Sequence, residues 1–283
     1  MKTRGETLQD WLAAIHSRLA LVSDTAALDA QVLLAHVLGR SRSWVLAHPD
    51  ASLTEAQSLA LQDSILRLEN GEPLPYLLGH WEFYGLDFTI TPHTLVPRPE
   101  TELLVEHALA WLREHPSRRM ALDVGAGSGC IAIALAVNIP DLHIVAGDIS
   151  QPALEVSQAN AHRHQVEDRL RFVQSDLLSA IPGSYDLLCA NLPYIPTNAL
   201  KTLRVAYHEP PLALDGGPDG LGLVRRFLES ASAALKPGGL ALLEIEASQG
   251  DQVRRIAGQA FPQAGVEIFA DLAGHDRLLK IQA

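Results

Sequence analysis

The chain has 283 residues, of which 47% are hydrophobic and 19% charged, a composition typical of a globular protein and unlike that of a disordered chain. Its 33 acidic and 22 basic residues give a formal net charge of −11, which disfavours non-specific binding of nucleic acid and favours a small-molecule substrate or a basic partner. Two cysteines, Cys130 and Cys189, are too few for a disulfide framework or a multi-thiolate metal site.

The N-terminus shows no apolar stretch after its basic residues, so we expect no signal peptide. The longest apolar run, residues 130–137, is far shorter than the roughly 20 residues that cross a bilayer. These features predict a cytoplasmic protein that does not bind membranes.

Residues 1–72 are predicted to form a small helical domain. Apolar residues at helical spacing indicate helices that begin at Thr7, at Asp24 or Thr25, and at Thr54. Thr54 and Gln57 resemble a capping box, in which each side chain bonds to the backbone of the other residue. The region contains no catalytic constellation, so we expect it to serve for packing or for recognition of a partner.

Residues 73–99 are rich in proline and glycine and are predicted to connect two domains. Two short runs, 81–84 and 86–90, flank Gly85 and predict a β-hairpin. After the connector, apolar residues at helical spacing predict a helix over 101–113.

Strands and helices alternate in residues 100–283, which are predicted to form one domain. Strands are expected at 121–124, 143–146, 170–173, 185–190 and 239–245, then an antiparallel pair at 266–269 and 278–281, with helices at 130–137, 152–164 and 222–234. This pattern predicts an α/β fold with a mostly parallel, Rossmann-like sheet and a terminal antiparallel hairpin, preceded by the small all-α bundle. Ligands of such sheets bind at the carboxyl ends of the strands.

A glycine-rich loop follows Asp123, at the end of the first strand predicted in this domain. Gly125, Gly127 and Gly129 allow a tight turn and the close approach of a ligand to the start of a helix. Their G-x-G-x-G spacing differs from the dinucleotide fingerprint G-x-G-x-x-G, and Asp123 would repel a phosphate and attract a cationic ligand. S-adenosylmethionine fits this loop because it carries a sulfonium and an amino group but no phosphate. A plain helix-entry turn also accounts for it.

Two further acidic residues follow predicted strands. Asp148 can accept hydrogen bonds from both ribose hydroxyls of a nucleoside, whether in NAD or in S-adenosylmethionine. Asp176 can accept the adenine amino group from the other side. A helix cap explains either aspartate equally well.

The sequence Asn191-Leu192-Pro193-Tyr194 directly follows an apolar strand. An amide nitrogen or exocyclic amine is a poor nucleophile because its lone pair is delocalised, so methylation requires acceptors for both of its N–H bonds. The Asn191 side-chain oxygen and the Leu192 carbonyl can be these acceptors, while Pro193 stiffens the turn and the ring of Tyr194 can pack on the planar group. The other requirement of the reaction is that the nitrogen be held close to the methyl carbon that it attacks. These four residues are the predicted catalytic and substrate-binding residues.

Several motifs together resemble the HemK/PrmC family of N5-glutamine methyltransferases, which modify peptide chain release factors. The resemblance covers essentially the whole chain and rests on residues 71–79, 81–85, 96–102, 123–129, 191–194, 209–210 and 213–220. Two parts are much more specific than the glycine-rich loop: Val-Pro-Arg-Pro-Glu-Thr-Glu at 96–102, and Glu-Pro at 209–210 with Ala-Leu-Asp-Gly-Gly-Pro-Asp-Gly at 213–220.

The resemblance implies an enzyme of translation termination that uses S-adenosyl-L-methionine and releases S-adenosyl-L-homocysteine. Its substrate would be the glutamine of the Gly-Gly-Gln motif in class I release factors, and residues 1–72 would bind this partner. Asn191 would contact both cofactor and substrate. The residues implied to bind the cofactor are Gly125, Ala126, Gly127, Ser128, Gly129, Asp148, Asp176, Leu177 and Asn191.

Two positions depart from the pattern of the family. Leu192 stands where proline is usual, but leucine keeps the backbone carbonyl, so the chemistry should survive with a less rigid loop. Leu177 stands where an aromatic residue often follows the aspartate, which weakens the expected packing on adenine. Arg98 and Glu100 would border the pocket, and both also suit a plain helix start.

Other functions share some of these features. Methylation of a glutamine in a ribosomal protein would use the same catalytic residues, and adenine-N6 methylation of nucleic acid would use the same four-residue motif. An NAD-dependent oxidoreductase disagrees with the glycine spacing, and the intact 191–194 motif argues against a non-catalytic binding module. We assign no metal site and expect a monomer that binds its protein substrate but no nucleic acid directly.

Overall fold

The computed structural model describes residues 6–283, with positions 204 and 205 described by their backbone alone. Residues 1–5 lie outside the described residues, although the predicted domain 1–72 and the N-terminus without a predicted signal peptide include them. The chain divides into two compact units, the first ending at Gly79 and the second beginning at His80. The three-part division into 1–72, 73–99 and 100–283 stays a prediction.

The first unit is helical. Over residues 6–79 the structure has five α-helices: α1 (Leu8–Leu19), α2 (Ala26–Leu38), α3 (Arg42–Ala47), α4 (Glu55–Glu69) and α5 (Leu74–Leu78). Capping boxes start α1 and α4, because Thr7 exchanges hydrogen bonds with Asp10, and Thr54 with Gln57. The three predicted helices are confirmed.

Two short helices of the first unit escaped prediction. Helix α3 has six residues and begins after the N-cap Ser41, and α5 has five residues and begins after Pro73. Elements this short carry less than two full turns of apolar periodicity, so their pattern is too weak to indicate a helix. The unit is held together by a core from α1, α2 and α4, formed by Leu8, Ile15, Leu19, Leu33, Leu34, Leu61 and Ile65.

The second unit begins with a two-stranded hairpin, β1 (His80–Phe83) and β2 (Leu86–Thr89), as predicted. Its remaining strands are β3 (Met120–Val124), β4 (His143–Asp148), β5 (Leu170–Gln174), β6 (Tyr185–Asn191), β7 (Leu235–Glu244), β8 (Gly265–Ala270) and β9 (Asp276–Gln282). Its helices are α6 (Glu102–Glu114), α7 (Cys130–Asn138), α8 (Gln151–Arg163), α9 (Thr197–Leu200), α10 (Gly222–Ala234) and α11 (Gly250–Ala260).

Strands β3 to β9 form one sheet over residues 120–282, in the order β5-β4-β3-β6-β7-β9-β8. All neighbours pair in parallel except β9, which is antiparallel to both β7 and β8. The predicted fold class is therefore confirmed. The strand order reverses between β3 and β6, and ligands of open α/β sheets bind at such a reversal, beyond the carboxyl ends of the strands.

Helix α11 was not predicted from the sequence. It buries little more than Gly250, Val253 and Ala257, and most of its other residues are polar or charged. Together with Ile256 and Ala260, which pack against the core, Val253 and Ala257 nevertheless recur at helical spacing, so the segment carries the signal of an amphipathic helix, which was overlooked.

None of the helices in residues 6–283 is long and apolar enough to cross a membrane.

Candidate functional site

A cavity of about 620 Å³ lies where β3, β4, β5 and β6 end, at the reversal of strand order. It is lined by parts of residues 93–101, 124–131, 148–153, 175–177, 191–193, 210–217 and 222–226. Of the residues predicted to bind cofactor or substrate, all line this cavity except Gly129 and Tyr194. The sequence motifs are thus brought together by the fold at one place.

The glycine-rich loop is fixed between β4 and the start of α7. The backbone N–H groups of Gly125 and Ala126 donate to the Gly147 carbonyl, at 2.8 and 3.0 Å. Gly129 caps α7 with a φ of +81°, and a Cβ at this position would collide with the hydroxyl of Ser157 on α8. Only glycine meets both constraints, so Gly129 shapes the loop from outside the cavity wall.

Asp148, the last residue of β4, is held rigidly in the cavity wall. Its Oδ2 accepts a hydrogen bond from the Gly127 N–H and its Oδ1 one from the Ser150 N–H, both at 2.8 Å. Burial raises the pKa of this carboxyl above its ordinary value. Each carboxylate oxygen can accept a second hydrogen bond, so the predicted contact with two ribose hydroxyls is compatible with this arrangement.

Asp176 and Leu177 line the cavity after β5. The Oδ2 of Asp176 accepts a hydrogen bond of 2.7 Å from Arg226 on α10. Leu177 adopts a φ of +51°, which is uncommon for a residue with a side chain. The predicted contact of these two residues with adenine stays a prediction, and the Asp176 carboxylate already has a cationic partner in Arg226.

The amide of Asn191 ends β6 in a defined orientation. Its Nδ2 donates to the Glu244 carboxylate at 3.0 Å and to the Thr101 hydroxyl at 3.1 Å. The Thr101 hydroxyl in turn donates to the same Glu244 oxygen, at 2.6 Å. Among the described residues, neither the Asn191 Oδ1 nor the Leu192 carbonyl accepts a hydrogen bond, so both oxygens remain free acceptors.

Tyr194 lies behind the cavity wall. Its hydroxyl is 3.5 Å from the other Glu244 oxygen, and burial together with that carboxylate raises the pKa of Tyr194 to about 12. Its carbonyl accepts a hydrogen bond of 3.0 Å from Gln249 and lies close to Gly220, where a Cβ would collide with it. The Tyr194 hydroxyl is thus directed at Glu244, and the packing of its ring on a planar substrate group stays a prediction.

The segment 209–220 supports the Asn191–Tyr194 turn from the other side. Ile195 donates to the Leu214 carbonyl at 3.1 Å, and its own carbonyl accepts from Gly216 at 2.9 Å. Glu209 is buried and accepts a hydrogen bond of 2.5 Å from Arg98. The two segments that are most specific to the resemblance, 96–102 and 209–220, therefore meet beside the cavity.

Asp123 lies beneath the glycine-rich loop and does not line the cavity. Its Oδ2 accepts a hydrogen bond of 3.2 Å from Ala132, while its Oδ1 has no partner among the described residues. Burial raises the pKa of Asp123 to about 7. The expectation that Asp123 attracts a cationic ligand is thus limited to its electrostatic field, since the side chain has no direct access to the cavity.

The cavity favours a nucleoside with a positive charge. Its volume falls within the about 300–1,000 Å³ that small-molecule sites occupy. Asp148, Asp176 and Asp215 line it, and its two arginines, Arg98 and Arg226, are paired with carboxylates. S-adenosylmethionine fits this set of acceptors, whereas a phosphate would find no unpaired arginine among the described residues that line the cavity. Residues 6–283 contain no cluster of His, Cys, Asp or Glu that could hold a metal ion.

Three residues of the site were missed by the sequence reasoning. Thr101 lies in the 96–102 segment, but its hydroxyl was given no role. Glu244 ends an apolar strand, as Asp148 and Asn191 do, and this position was a signal that could have identified it. Gln249 has no comparable signal, because its contact with Tyr194 joins residues far apart in the chain.

Two family models match the sequence. One describes the PrmC N-terminal domain and matches residues 10–79, and the other describes the methyltransferase small domain and matches residues 99–209.

Among solved structures, the chain is similar to the 16S rRNA N2 G1207 methyltransferase RsmC of Thermus thermophilus in complex with AdoMet and guanosine. The TM-score is 0.52 at 18% identity, and the match covers 72% of this chain and 49% of that one. At this identity the likeness supports the fold alone.

Curated relatives are much closer in sequence. The release factor glutamine methyltransferase of Moorella thermoacetica is 42% identical over 252 residues, covering 88% of this chain and 89% of the relative. The protein of the same name from Nitratidesulfovibrio vulgaris is 38% identical over 283 residues, covering 98% and 95%. Because this identity extends over nearly the whole of both relatives, the chain belongs to the release factor glutamine methyltransferase family.

Proposed function

We propose that this protein transfers a methyl group from S-adenosyl-L-methionine to the side-chain amide nitrogen of a glutamine, in the Gly-Gly-Gln motif of class I peptide chain release factors. The observation that carries the proposal is the orientation of Asn191. Its NH₂ group is engaged by Glu244 and Thr101, while its Oδ1 and the Leu192 carbonyl stay free to accept hydrogen bonds beside the cavity.

The residues proposed to hold the cofactor are those of the cavity wall. The glycine-rich loop would accommodate the amino-acid part, Asp148 would accept the ribose hydroxyls, and Asp176 and Leu177 would border the adenine. When bound, S-adenosyl-L-methionine supplies an electrophilic methyl carbon on a sulfonium.

The two free oxygens are proposed to act on the substrate amide. Each would accept one N–H of the glutamine, so that the nitrogen is drawn out of conjugation and its lone pair faces the methyl carbon. As the C–N bond formed, the C–S bond would break, S-adenosyl-L-homocysteine would leave, and the nitrogen would release one of its two protons to water. The chain then contributes mainly by positioning, which is worth most when the reacting atoms are held about 3–3.5 Å apart. Leu192 fits this role as well as proline, since only its backbone carbonyl is used.

The first unit is proposed to bind the release factor. It matches the PrmC N-terminal domain model, and it exposes Leu59 and Leu66, two turns apart on α4. Apolar side chains seven residues apart lie on one face of a helix and can contact a partner together. We further propose that the protein works as a monomer in the cytoplasm, without direct binding to nucleic acid or membrane.

Methylation of a purified release factor tests the proposal. The protein is incubated with methyl-labelled S-adenosyl-L-methionine and a class I release factor, and the labelled residue is identified by mass spectrometry. We expect one methyl group on the glutamine of the Gly-Gly-Gln motif and none on a release factor in which that glutamine is replaced by alanine. In a parallel incubation with a cell extract, label on a ribosomal protein or on nucleic acid, with none on the release factor, would overturn the proposal.

Asn191→Ala probes the mechanism directly. Loss of one of the two acceptors should lower kcat by at least about 10²-fold. Cofactor affinity, measured by calorimetry, should weaken only modestly because other residues supply most of the proposed cofactor contacts. An Asn191→Ala protein that methylates the release factor at the wild-type rate would contradict the mechanism.

A further inference from the structure

Glu244 occupies an unusual place for a buried acidic residue. It ends β7 directly opposite Asn191 in the register of the sheet and is only 2% exposed. Three side chains direct donors at its carboxylate: the Asn191 amide at 3.0 Å, the Thr101 hydroxyl at 2.6 Å and the Tyr194 hydroxyl at 3.5 Å. Glu244 does not line the cavity.

The orientation of the Asn191 amide matters because its two ends have opposite hydrogen-bonding character. A carboxamide turned by half a rotation keeps its shape but exchanges its oxygen for an NH₂ group. In the exchanged orientation, Asn191 would present donors to a substrate N–H, and the acceptor that the reaction needs would be lost.

The surroundings of Asn191 permit only one of these orientations. Above the pKa of Glu244, which burial raises to about 7, its carboxylate can only accept, and the Thr101 hydroxyl presents a lone pair to Asn191 because its hydrogen is directed at Glu244. Exchanging the two ends of the amide would bring Asn191 Oδ1 against the Glu244 oxygen and leave a buried carboxylate without its donor. An unpaired buried polar group of this kind is costly.

We infer that Glu244 is a positioning residue that fixes the Asn191 carboxamide with its oxygen free for the substrate, an inference that rests on the proposed function. Through its other oxygen it also restrains the Tyr194 hydroxyl, so that one carboxylate spans both ends of the 191–194 turn. It touches neither the cavity nor the reacting atoms.

Two substitutions of Glu244 test whether its hydrogen-bond acceptors, rather than the bulk of its side chain, orient the Asn191 amide. Glu244→Met keeps the length of the side chain but removes both acceptors, so kcat should fall about 10²-fold. The cofactor dissociation constant and the KM for the release factor should stay within about 3-fold of wild type. Glu244→Gln keeps one oxygen for Asn191 and Thr101 and offers its NH₂ to the Tyr194 oxygen, so kcat should return to within about 5-fold of wild type.

Asp186→Asn is the matched control. Asp186 is also a buried carboxylate, but it lies on β6 near the opposite end from Asn191 and pairs with Arg118 and Lys236. Its substitution should lower the melting temperature without lowering kcat. A Glu244→Met protein with wild-type kcat, or a Glu244→Gln protein as slow as Glu244→Met, would overturn the inference.

Thr101 gives a second test if Glu244→Met does not fold. Thr101→Val removes the hydroxyl that fixes the shared oxygen, and kcat should fall about 10-fold, whereas Thr101→Ser should keep the wild-type kcat. Equal kcat values for the two variants would contradict the inference.

The wild-type protein distinguishes failure of the proposed function from failure of the inference, because only in the first case would it leave the release factor unmethylated. The inference can still be decided in that case by amide hydrogen exchange of the Asn191 side chain, observed by NMR. These protons should exchange slowly in wild type and at least about 10-fold faster in Glu244→Met. Equal exchange rates would overturn the inference by themselves.

Discussion

Leu192 illustrates how one residue can serve through its backbone and its side chain separately. Its carbonyl is a free acceptor beside the cavity, while its side chain is 3% exposed and belongs to the apolar core of the sheet. A Cβ at Gly125 would lie 3.2 Å from its Cδ2, so the side chain also contacts the glycine-rich loop. Substitutions of this residue should therefore affect stability more than chemistry.

Leu192→Ala should lower the free energy of unfolding by about 2–4 kcal/mol, because it opens a cavity in the core. Its kcat should stay within about 10-fold of wild type, since the carbonyl remains. Urea denaturation and steady-state kinetics measure the two quantities. Leu272→Ala, at a fully exposed leucine, is the control and should change the stability by less than about 0.5 kcal/mol. Equal losses in the two variants would refute the packing argument.

Asp123 predicts a pH dependence of stability. Burial raises its pKa from 3.8 to about 7, so the folded protein retains a proton that the unfolded chain releases. The stabilisation is fully present below about pH 4 and is lost as the pH rises through 7, a change of about 4 kcal/mol. Glu244, with a pKa raised to about 7, contributes in the same direction.

Asp123→Asn removes its share of this titration, so the unfolding free energy should decline less steeply with pH up to about 7, with the share of Glu244 remaining. Chemical denaturation at several pH values measures it for both proteins. If the variant loses stability over this range as steeply as wild type does, Asp123 is not the group that titrates.

At the level of residues, the sequence predicted two of the polar side chains at strand ends and missed a third, Glu244, together with Thr101. Asp148 and Asn191 follow apolar strands, and parallel strands bring their ends to one edge. Glu244 and Thr101 act on Asn191 from 53 and 90 positions away. Such pairings depend on the register of neighbouring strands, which a single sequence does not specify.

Among the elements, the 215–222 turn packs directly against the backbone of Pro193 and Tyr194. Gly220 has a φ of +75°, and a Cβ there would collide with the Tyr194 carbonyl. The turn therefore requires glycine both for its conformation and for its close approach.

Gly220→Ala should shift the Tyr194 backbone and lower kcat about 10-fold or more, along with the melting temperature. Gly258→Ala is the control, because Gly258 lies in α11 with nothing within 4 Å of an added Cβ. This second variant should keep wild-type kcat and gain about 0.5–1 kcal/mol of stability. The argument fails if Gly220→Ala retains full activity.

Predictability of the elements followed the strength of their local signals. Helices α1 and α4 begin at capping boxes and repeat apolar residues over more than three turns, so they were predicted. Helices α3 and α5 are too short for a periodic signal, and tertiary contacts rather than intrinsic pattern stabilise them. Helix α11 is the exception, because its core-facing residues Val253, Ile256 and Ala257 lie at helical spacing and this signal was overlooked.

On the scale of the whole molecule, the alternation of strands and helices was enough to predict the architecture of the second unit. Repeated βα units require a parallel sheet, and the short final strands predicted the antiparallel pair. The order of the strands was not predicted, because it depends on which sheet edge each crossover returns to.

The overall charge gives a prediction about nucleic acid. With a net charge of −11, the protein lacks the excess of cations that releases counterions from a nucleic acid backbone. Fluorescence anisotropy with single-stranded and duplex oligonucleotides at about 0.1 M salt should show no binding at micromolar protein. Binding that weakens steeply with added salt would favour the adenine-N6 alternative instead.

Strand β7 contributes no residue to the cavity wall, and yet its last residue, Glu244, accepts a hydrogen bond from the side-chain amide of Asn191. A selection of variants by ligand affinity would therefore pass over position 244, since every surface that a ligand meets is unchanged there. A selection by product formed would single it out. We therefore expect substitutions at position 244 to alter the reaction rate, and substitutions in the cavity wall to alter the ligand affinity.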